Sequence, residues 1–259
     1  MLNFDRYDGP DTTPLLIAHG LFGSGRNWRA IARHMARRHP VIAVDMRNHG
    51  GSPRADVMDY PSMADDLAAV ITSLGRPALV LGHSMGGKAA MMLALSHPDL
   101  VRALMVGDIA PIAYDHAAEN QAHIAVMAGL DLTQISRRSE ADAALAHQLP
   151  DPALRAFFLQ SLDFTGPKPR WMLNLPVLDA AMPVITGFPE TDRHFTGPTV
   201  FLSGARSAYM SEPGRARAAV HFPAARFARL KDAGHWLHAD QPRAFMTALQ
   251  SFCAATGTA

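Results

Sequence analysis

The sequence predicts an α/β fold in which helices flank a mostly parallel central sheet. Short apolar runs alternate with helical patterns from Leu15 to Asp108, and the alternation returns after residue 197. Residues 82–86 read Gly-His-Ser-Met-Gly between an apolar run and a helix-forming run, which is typical of a strand, a sharp corner and a helix. With 259 residues, of which 48% are hydrophobic, the chain can form one large domain with an insertion.

The first half of the chain is predicted to form a βαβ series. Strands are expected at 15–18, 41–44, 77–82 and 101–106, and helices at 27–37, 62–74 and after Ser84. Asp65 and Asp66 are expected in the first turn of the helix at 62–74, where carboxylates favour the positive end of the helix dipole. His97 and Pro98 end the helix after Ser84. This pattern predicts parallel strands joined by covering helices.

The alternation stops between residues 112 and 196. Prolines separate short helical patterns there, at 119–128, 139–148 and 152–161. An insertion of this length between two strands predicts a helical cap, or lid, over one end of the sheet. The predicted domains are therefore a core, 1–111 and 197–259, and a cap, 112–196. Strands at 199–202 and 226–230, with a helix between them, and a last helix at 242–252 complete the core.

Ser84 is the candidate nucleophile. In a Gly-x-Ser-x-Gly corner the serine adopts a strained backbone conformation that the flanking glycines tolerate, so its hydroxyl stands exposed above the sheet. An alcohol is a poor nucleophile at neutral pH and needs a neighbouring base. His235 comes directly after the last predicted strand and is the candidate base, with His238 as the alternative.

The acid that orients the base is expected at Asp108. The usual place for it is the loop after the strand at 199–202, but residues 203–209 contain no carboxylate. One strand earlier, Asp108 follows an apolar run and would lie at the same edge of the sheet as Ser84. The alternative role for Asp108 is to cap the helices of the lid, and Asp232 is expected to brace its own loop.

Backbone N–H groups are expected to bind the oxyanion that forms when Ser84 attacks a carbonyl. Each such donor stabilises the transition state by roughly 3 to 4 kcal/mol in other enzymes. Met85 supplies one N–H, and the turn at 19–23 supplies the second, with Leu21 as first candidate and Phe22 as second. The candidate substrate-binding side chains lie in or beside these loops and are Phe22, His83, Trp236 and Tyr209.

Neither a metal nor a cofactor is predicted. Residues 45–50 combine a carboxylate with a histidine, but a metal site needs three or more convergent ligands, and no second cluster accompanies them. Asp45 and Arg47 are instead expected to form a charged pair that pins the loop beside the nucleophile. Lys88 is expected to form a salt bridge, with direct contact to substrate as the alternative. The glycines at 82–87 lack the spacing of phosphate-binding loops.

Composition and charge limit the classes of binding partner and the cellular compartments that suit this chain. A formal net charge of +1 and a pI near 8.1 argue against nucleic acid as a partner. Cys253 is the single cysteine and lies in the apolar pattern of the last helix, which favours core packing and permits a reducing compartment. No apolar run reaches the roughly 18 residues that span a bilayer. The expectation is a cytoplasmic protein without membrane insertion that is a monomer or a homodimer and acts on a small molecule.

The chain resembles an α/β-hydrolase over nearly its full length. More narrowly, it resembles the YbfF-type bacterial esterases and their ABHD11-like relatives. The matching motifs are His-Gly-Leu-Phe-Gly-Ser at 19–24 with Asn27-Trp28, Asp-Met-Arg-Asn-His-Gly at 45–50 with Ser52-Pro53, Gly-His-Ser-Met-Gly-Gly-Lys at 82–88, and Asp-Ile-Ala-Pro at 108–111. The resemblance implies carboxylic ester hydrolysis, with acyl thioesters as a further substrate class. It also implies an acid displaced to the strand before the lid, in agreement with Asp108.

The predicted function is therefore a serine hydrolase that forms an acyl-enzyme on Ser84. Its expected substrates are carboxylic esters with short to medium acyl chains, with acyl-CoA thioesters as an extension. The same triad would also serve carbon–carbon bond hydrolysis, acyl transfer or perhydrolysis, which the fold does not distinguish. The alternative of a different class is a catalytically silent ligand-binding protein that keeps the hydrolase fold.

Overall fold

A computed structural model describes residues 1–256 of the chain. Nine strands occur in these residues: β1 (Phe4–Tyr7), β2 (Leu15–Ala18), β3 (Val41–Val44), β4 (Ala78–His83), β5 (Val101–Gly107), β6 (Leu162–Asp163), β7 (Arg170–Trp171), β8 (Thr199–Gly204) and β9 (Ala225–Leu230). The α-helices of the same residues are α1 (Arg29–Met35), α2 (Tyr60–Ser73), α3 (Met85–Ser96), α4 (Ala117–Ala128), α5 (Arg138–Leu145), α6 (Pro152–Leu159), α7 (Leu175–Ala180), α8 (Met182–Thr186), α9 (Glu212–His221), α10 (Leu237–Asp240) and α11 (Pro242–Thr256). Short 3₁₀ helices span Gly25–Trp28, Pro98–Leu100 and Leu132–Gln134.

Seven strands form one sheet in the order β1-β3-β2-β4-β5-β8-β9, in which only β1 pairs antiparallel to its neighbour. The predicted α/β fold with a mostly parallel sheet is confirmed. One row of paired residues crosses four central strands, from Ala18 to Gly82, Val106 and Phe201. Because these strands are parallel and in register, the loops that follow them meet at one edge of the sheet.

Helices cover both faces of the sheet. In β2, Leu16 packs with the face that α2 and α3 cover, whereas Leu15 and Ile17 pack with the face that α1 and α11 cover. Successive side chains of a strand point to opposite faces, so a strand buried on both faces is apolar throughout. All four residues of β2 and of β3 are buried accordingly. Each fully buried aliphatic side chain contributes about 1.5 to 3 kcal/mol to folding.

The central strands agree with the sequence, and the largest difference lies in α2. The strands at 15–18 and 41–44 have the predicted bounds. Helix α2 begins at Tyr60 because Asp59 caps it, accepting a hydrogen bond from the Ser62 N–H at 2.8 Å. Asp65 and Asp66 therefore lie beyond the first turn, so their predicted place in it was wrong. The edge strand β1 went unpredicted because its four residues include a charged, exposed pair.

The segment between β5 and β8 is mostly helical and contains α4 to α8 and the antiparallel pair β6–β7. It is joined to the core loops by hydrogen bonds. The Ser161 Oγ donates to the Phe22 carbonyl at 2.9 Å, and the Asn174 N–H donates to the Asn48 carbonyl at 2.9 Å. The division into a core and a cap with the limits given above stays a prediction. Across residues 1–256, no helix combines the length and apolar character needed to cross a membrane.

Cys253 lies in α11 with its side chain in the core, 1% exposed. Burial raises the pKa of its thiol to about 12, because the thiolate would lose its hydration. A thiol with such a pKa is protonated at neutral pH and is a poor nucleophile. This environment agrees with the packing role that its sequence position indicates.

Candidate active site

Ser84 occupies a sharp corner between β4 and α3. Its φ of 53° and ψ of −122° lie outside the usual regions for a residue with a side chain. The flanking glycines make the corner sterically possible. A Cβ on Gly82 would lie 2.3 Å from the Gly86 carbonyl oxygen, and one on Gly86 would lie 2.4 Å from the His19 carbonyl oxygen. The corner places the half-buried serine at the edge of the sheet where the other loops meet.

His235 connects Ser84 to Asp108 through two hydrogen bonds. The His235 Nε2 lies 3.1 Å from the Ser84 Oγ, and its Nδ1 lies 2.8 Å from the Asp108 Oδ2. The three residues come from the loops after β9, β4 and β5. The structure thus brings together the predicted nucleophile, base and acid. This geometry allows the ring to take a proton from the serine while the carboxylate holds the ring's orientation.

The Asp108 carboxylate is fully buried and accepts two further hydrogen bonds. Its Oδ1 accepts from the Gly204 N–H at 2.9 Å, and its Oδ2 accepts from the Ser207 hydroxyl. Both donors lie at or after the end of β8, in the loop whose lack of a carboxylate moved the predicted acid to Asp108. These hydrogen bonds satisfy the oxygens of a buried carboxylate and hold it in place beside His235. Sequence reasoning missed Gly204 and Ser207. The only signal for them was the absence of a carboxylate from this loop.

In the described part of the chain, the Leu21 and Met85 N–H groups have no acceptor and can serve as an oxyanion hole. Met85 is the first residue of α3, and the first N–H groups of a helix lack intrahelical acceptors. Within residues 1–256, the Leu21 N–H makes no hydrogen bond, whereas the Phe22 N–H donates to the His49 Nε2 at 3.2 Å. Of the two predicted donors in this turn, Leu21 is therefore the available one.

Two buried histidines, His19 and His49, join the turn at 19–23 to the loop after β3. The His19 Nε2 accepts from the Met46 N–H at 2.9 Å, and the His49 Nε2 accepts from the Phe22 N–H. Each Nδ1 lies 2.7 or 2.8 Å from a carbonyl of its own loop, and the ring centroids are 5.1 Å apart. We call His19 and His49 the paired histidines. Each ring accepts a bond at Nε2, so both are neutral.

Burial lowers the pKa of both paired histidines, and that of His49 falls to about 3. A protonated ring would lose its hydration and its acceptor nitrogen at once. Sequence reasoning did not find this pairing, because the two rings are far apart along the chain. The mixed motif at 45–50 was the only signal that His49 has a specific role.

The predicted pair between Asp45 and Arg47 does not form. The Asp45 carboxylate accepts from the Gly25 and Gly51 N–H groups, each at 2.8 Å. The Arg47 Nε instead donates to the Asp66 Oδ2 at 2.6 Å. Both residues follow the end of β3, and Arg47 lies in a turn, so the alternation of a strand does not keep the two side chains on one face. No cluster of three or more metal-ligating side chains occurs in the described part of the chain.

A cavity of about 910 Å³ contains Ser84 and His235 in its wall. The four predicted substrate-binding residues, Phe22, His83, Trp236 and Tyr209, also line it. The Tyr209 ring stacks on the His235 ring with centroids 4.2 Å apart. The Trp236 ring contacts Phe157 of α6, at 5.4 Å between centroids. Helices α4 and α6 contribute further lining residues, so the cavity lies between the sheet edge and the helical segment.

His83 and His238 support the loop that carries His235. The His83 Nε2 lies 2.8 Å from the His235 carbonyl oxygen, and burial lowers the pKa of His83. The His238 ring stacks on Trp28 at 4.3 Å, and burial lowers its pKa to about 4. Of His235 and His238, the former makes the hydrogen bond to Ser84.

Asp240 braces the same loop, because its Oδ2 accepts from the Gly234 N–H at 2.6 Å. Asp232, for which a bracing role was expected, contributes through its backbone. Its carbonyl oxygen accepts from the Arg206 Nη2 at 2.8 Å and from the Gln241 Nε2 at 3.4 Å. The base is therefore held by a loop with bonds on both sides.

Lys88 is buried in α3 and makes no salt bridge within the described chain, so the predicted ion pair was wrong. Its Nζ donates to the carbonyl oxygens of Thr186 and Gly187, at 2.8 and 2.6 Å. These carbonyls lie at the end of α8, where backbone acceptors lack helical partners. Burial lowers the pKa of Lys88 to about 7.

Comparison with known proteins agrees with this geometry. The family described as having the alpha/beta hydrolase fold matches residues 13–242. The mouse protein named sn-1-specific diacylglycerol lipase ABHD11 is 37% identical over 261 residues, which cover 98% of this chain and 85% of the mouse protein. Esterase YbfF of Escherichia coli K12 is 36% identical over 243 residues and 93% of each chain.

A solved structure described as a marine microorganism esterase superimposes with a TM-score of 0.92. It is 35% identical to this chain, covering 97% of this chain and 98% of its own. The family match and these relatives support a hydrolase of esterase or lipase type. The chain therefore belongs to the α/β-hydrolase fold family.

Proposed function

We propose that the protein is a serine hydrolase that cleaves carboxylic esters through an acyl-enzyme on Ser84. The observation that carries this proposal is the pair of hydrogen bonds from His235, at 3.1 Å to the Ser84 Oγ and at 2.8 Å to the Asp108 Oδ2. A solvated surface histidine would hydrogen-bond to water and would not be expected to make both contacts. Within residues 1–256, the N–H groups of Leu21, in the turn at 19–23, and of Met85, at the start of α3, have no acceptor and flank the serine.

In the first half of the reaction, the Ser84 Oγ attacks the ester carbonyl while His235 Nε2 takes the hydroxyl proton. The carbonyl oxygen becomes an oxyanion that accepts hydrogen bonds from the Leu21 and Met85 N–H groups. Asp108 stabilises the charged imidazole that results. When the tetrahedral intermediate collapses, His235 returns the proton to the leaving alcohol and the acyl group stays on Ser84.

In the second half, water attacks the acyl-enzyme and His235 takes one of its protons. A second oxyanion forms in the same hole, because the carbonyl carbon has not moved. Collapse breaks the bond to the Ser84 Oγ, which recovers its proton from His235. The products are an alcohol and a carboxylic acid, and the enzyme is regenerated without a cofactor.

The proposed substrates are esters with short to medium acyl chains, and acyl-CoA thioesters extend the class. Aromatic side chains line the cavity on both sides, including Phe22, Trp236 and Phe157, and they suit an apolar acyl group. The mouse relative is named a diacylglycerol lipase, so acylglycerols belong in the same substrate panel. Carbon–carbon bond hydrolysis, acyl transfer and perhydrolysis would use the same triad, and product analysis separates them.

Labelling with a fluorophosphonate probe tests the nucleophile. We expect the wild-type protein to be labelled at Ser84 and to hydrolyse a 4-nitrophenyl ester, and Ser84→Ala to lose both, with kcat reduced at least about 10³-fold. Ser73→Ala, which changes an exposed serine of α2, is the matched control and keeps both. Asp108→Asn should be labelled more slowly, because the histidine loses its orienting carboxylate.

The outcomes of this experiment are distinct. Unchanged turnover in Ser84→Ala would contradict the mechanism. A wild-type protein that folds but neither reacts with the probe nor turns over any ester would be a silent ligand-binding protein. Labelling without ester turnover would direct attention to thioesters, diketones and acyl acceptors other than water.

A further inference from the structure

Lys88 is a cationic side chain in the wall of the active-site cavity. The proposed reaction assigns no role to this side chain. It is 1% exposed and lies at the part of the cavity lined by Tyr60, Tyr114 and Thr186. An ammonium group can donate three hydrogen bonds. Two are made to the Thr186 and Gly187 carbonyl oxygens. One donor therefore remains.

The neighbouring polar groups do not neutralise this cation. The Tyr60 hydroxyl donates to the Ile185 carbonyl, and the Tyr114 hydroxyl donates to the Tyr209 carbonyl while accepting from the Ala110 N–H. The Lys88 Nζ also lies 4.7 Å from the centre of the Tyr114 ring. Within residues 1–256, no carboxylate lies within ion-pair distance of the Nζ.

A buried ammonium without a counter-ion is costly, since carbonyls and aromatic faces replace only part of its hydration. The lowered pKa of Lys88, about 7, has this cause. A carboxylate at the remaining donor would make a charge-assisted hydrogen bond and stabilise the charged form. The site thus lacks the partner that would make its charge favourable.

We propose that Lys88 forms a subsite for a carboxylate carried by the substrate, so that the enzyme prefers esters with an anionic end over neutral esters of equal length. This inference rests on the proposed ester hydrolysis at Ser84 and names the class of ester. The chemistry recognised is a carboxylate oxygen at the lysine Nζ.

The position of Lys88 in α3 sets the length of such a substrate. Its N–H donates to the Ser84 carbonyl at 3.0 Å, so it lies one helical turn after the nucleophile. Four helical residues span about 6 Å along the axis. A carboxylate at Lys88 must therefore be several bonds from the ester carbonyl. Suitable substrates are monoesters of dicarboxylic acids of about four to six carbons, or esters whose alcohol carries a carboxylate.

Matched substrate pairs test the proposal. One pair is monoethyl glutarate and ethyl pentanoate, with the charge on the acyl side. The other is 4-acetoxybutanoate and butyl acetate, with the charge on the alcohol side. Ethanol or acetate release gives kcat and KM for the wild type, Lys88→Met and Lys88→Arg. Thermal unfolding of each variant is measured in parallel.

We expect the wild type to prefer the charged member of at least one pair. In Lys88→Met that preference in kcat/KM falls at least about tenfold, mainly through a higher KM for the charged ester, because a charge-assisted hydrogen bond contributes more than 1.4 kcal/mol. Lys88→Arg keeps part of the preference. The pair that responds identifies the side of the ester that reaches Lys88.

A purely structural lysine gives a different result. If Lys88 only ties α8 to α3, Lys88→Met lowers the melting temperature and slows both members of each pair equally, which overturns the proposal. Because Lys88→Met could fail to fold, the wild type supplies an independent measurement. Glutaramate should inhibit the hydrolysis of a neutral ester competitively at a concentration at least tenfold below that of pentanamide, which lacks the carboxylate, and equal inhibition would also overturn the subsite.

Failure of the subsite and failure of the proposed function are distinguishable. Wild-type hydrolysis of the neutral esters without a preference for charge rejects the subsite and leaves the esterase reaction intact. Absence of turnover on all four esters, together with no labelling of Ser84, rejects the reaction itself.

Discussion

Asp108 follows β5, but several of its hydrogen-bond partners lie at the end of the neighbouring strand β8. It follows β5 with a φ of 50°, and its N–H donates to the Leu202 carbonyl of β8 at 2.8 Å. The chain therefore turns over the end of β8, where the Gly204 N–H and the Ser207 hydroxyl meet the carboxylate. The loop after β8 supplies donors to an acid from the neighbouring strand in place of an acid of its own.

The paired histidines make a testable prediction at the residue scale. His49→Phe removes the acceptor of the Phe22 N–H, which leaves a buried donor unpaired and releases the turn that carries Leu21. We expect kcat on a 4-nitrophenyl ester to fall at least about tenfold, with a smaller change in KM. His49→Gln can offer an amide oxygen as acceptor and should retain more activity.

His147→Gln, a change at an exposed position between β5 and β8, is the control for this series and should match the wild type. A kcat for His49→Phe within twofold of the wild type would mean that the turn keeps its geometry without the paired histidines. Comparing kcat with KM separates a displaced oxyanion donor from a general loss of binding.

At the scale of elements, the corner at Ser84 depends on the close approach of α3 to β2. An alanine Cβ at Gly86 would lie 2.4 Å from the His19 oxygen and 2.5 Å from the Ala18 oxygen, both backbone atoms that cannot move independently. Gly86→Ala should therefore lower the free energy of unfolding by more than about 2 kcal/mol and reduce activity. Denaturant unfolding measures the first effect.

Gly166→Ala is the matched control for Gly86→Ala, because the nearest atom to its added Cβ is 3.6 Å away. Its stability should stay within about 0.5 kcal/mol of the wild type. Equal stability of the two alanine variants would show that α3 can shift away from β2 without cost.

The elements predicted best are those whose signal is local. Strands β2 and β3 are buried on both faces, so an uninterrupted apolar run marks them. The start of α2 was placed two residues late because its cap, Asp59, precedes the apolar pattern. The pair β6–β7 has two residues in each strand, too few for any periodic pattern to show.

At the scale of the molecule, buried histidines predict how stability changes with pH. The pKa of His49 is about 3 and that of His238 about 4 in the folded protein, against about 6.5 in an unfolded chain. Between these values the unfolded chain binds more protons than the folded one. The contribution of these neutral rings to the free energy of unfolding is therefore fully present above pH 6.5 and is lost as the pH falls toward 3.

Urea unfolding at pH 7 and pH 4.5 measures this decline. For His49 alone the expected loss is on the order of 2 to 3 kcal/mol. His49→Gln cannot be protonated and should show a smaller decline than the wild type over the same interval. An identical decline in both proteins would assign the acid sensitivity to other groups.

The sequence alone determined the central strands and the corner at Ser84, and the reason is physical. Central strands must be apolar on both faces, and a serine in a tight corner needs glycines around it, so both leave local patterns. Ser84, Asp108 and His235 each follow a predicted strand, so the order of the strands predicts that the three residues lie at one edge of the sheet. The register of the parallel strands, with Gly82 level with Val106, is what makes their loops meet.

Only the tertiary structure decided which side chains become partners. Arg47 pairs with Asp66 rather than Asp45, Lys88 binds carbonyls at the end of α8, and the paired histidines link two loops that are remote in sequence. A long polar side chain can reach several partners, and no periodic pattern records which one is near. The distances between loops make that choice, because a buried donor must bond to whichever acceptor the packed chain brings within reach.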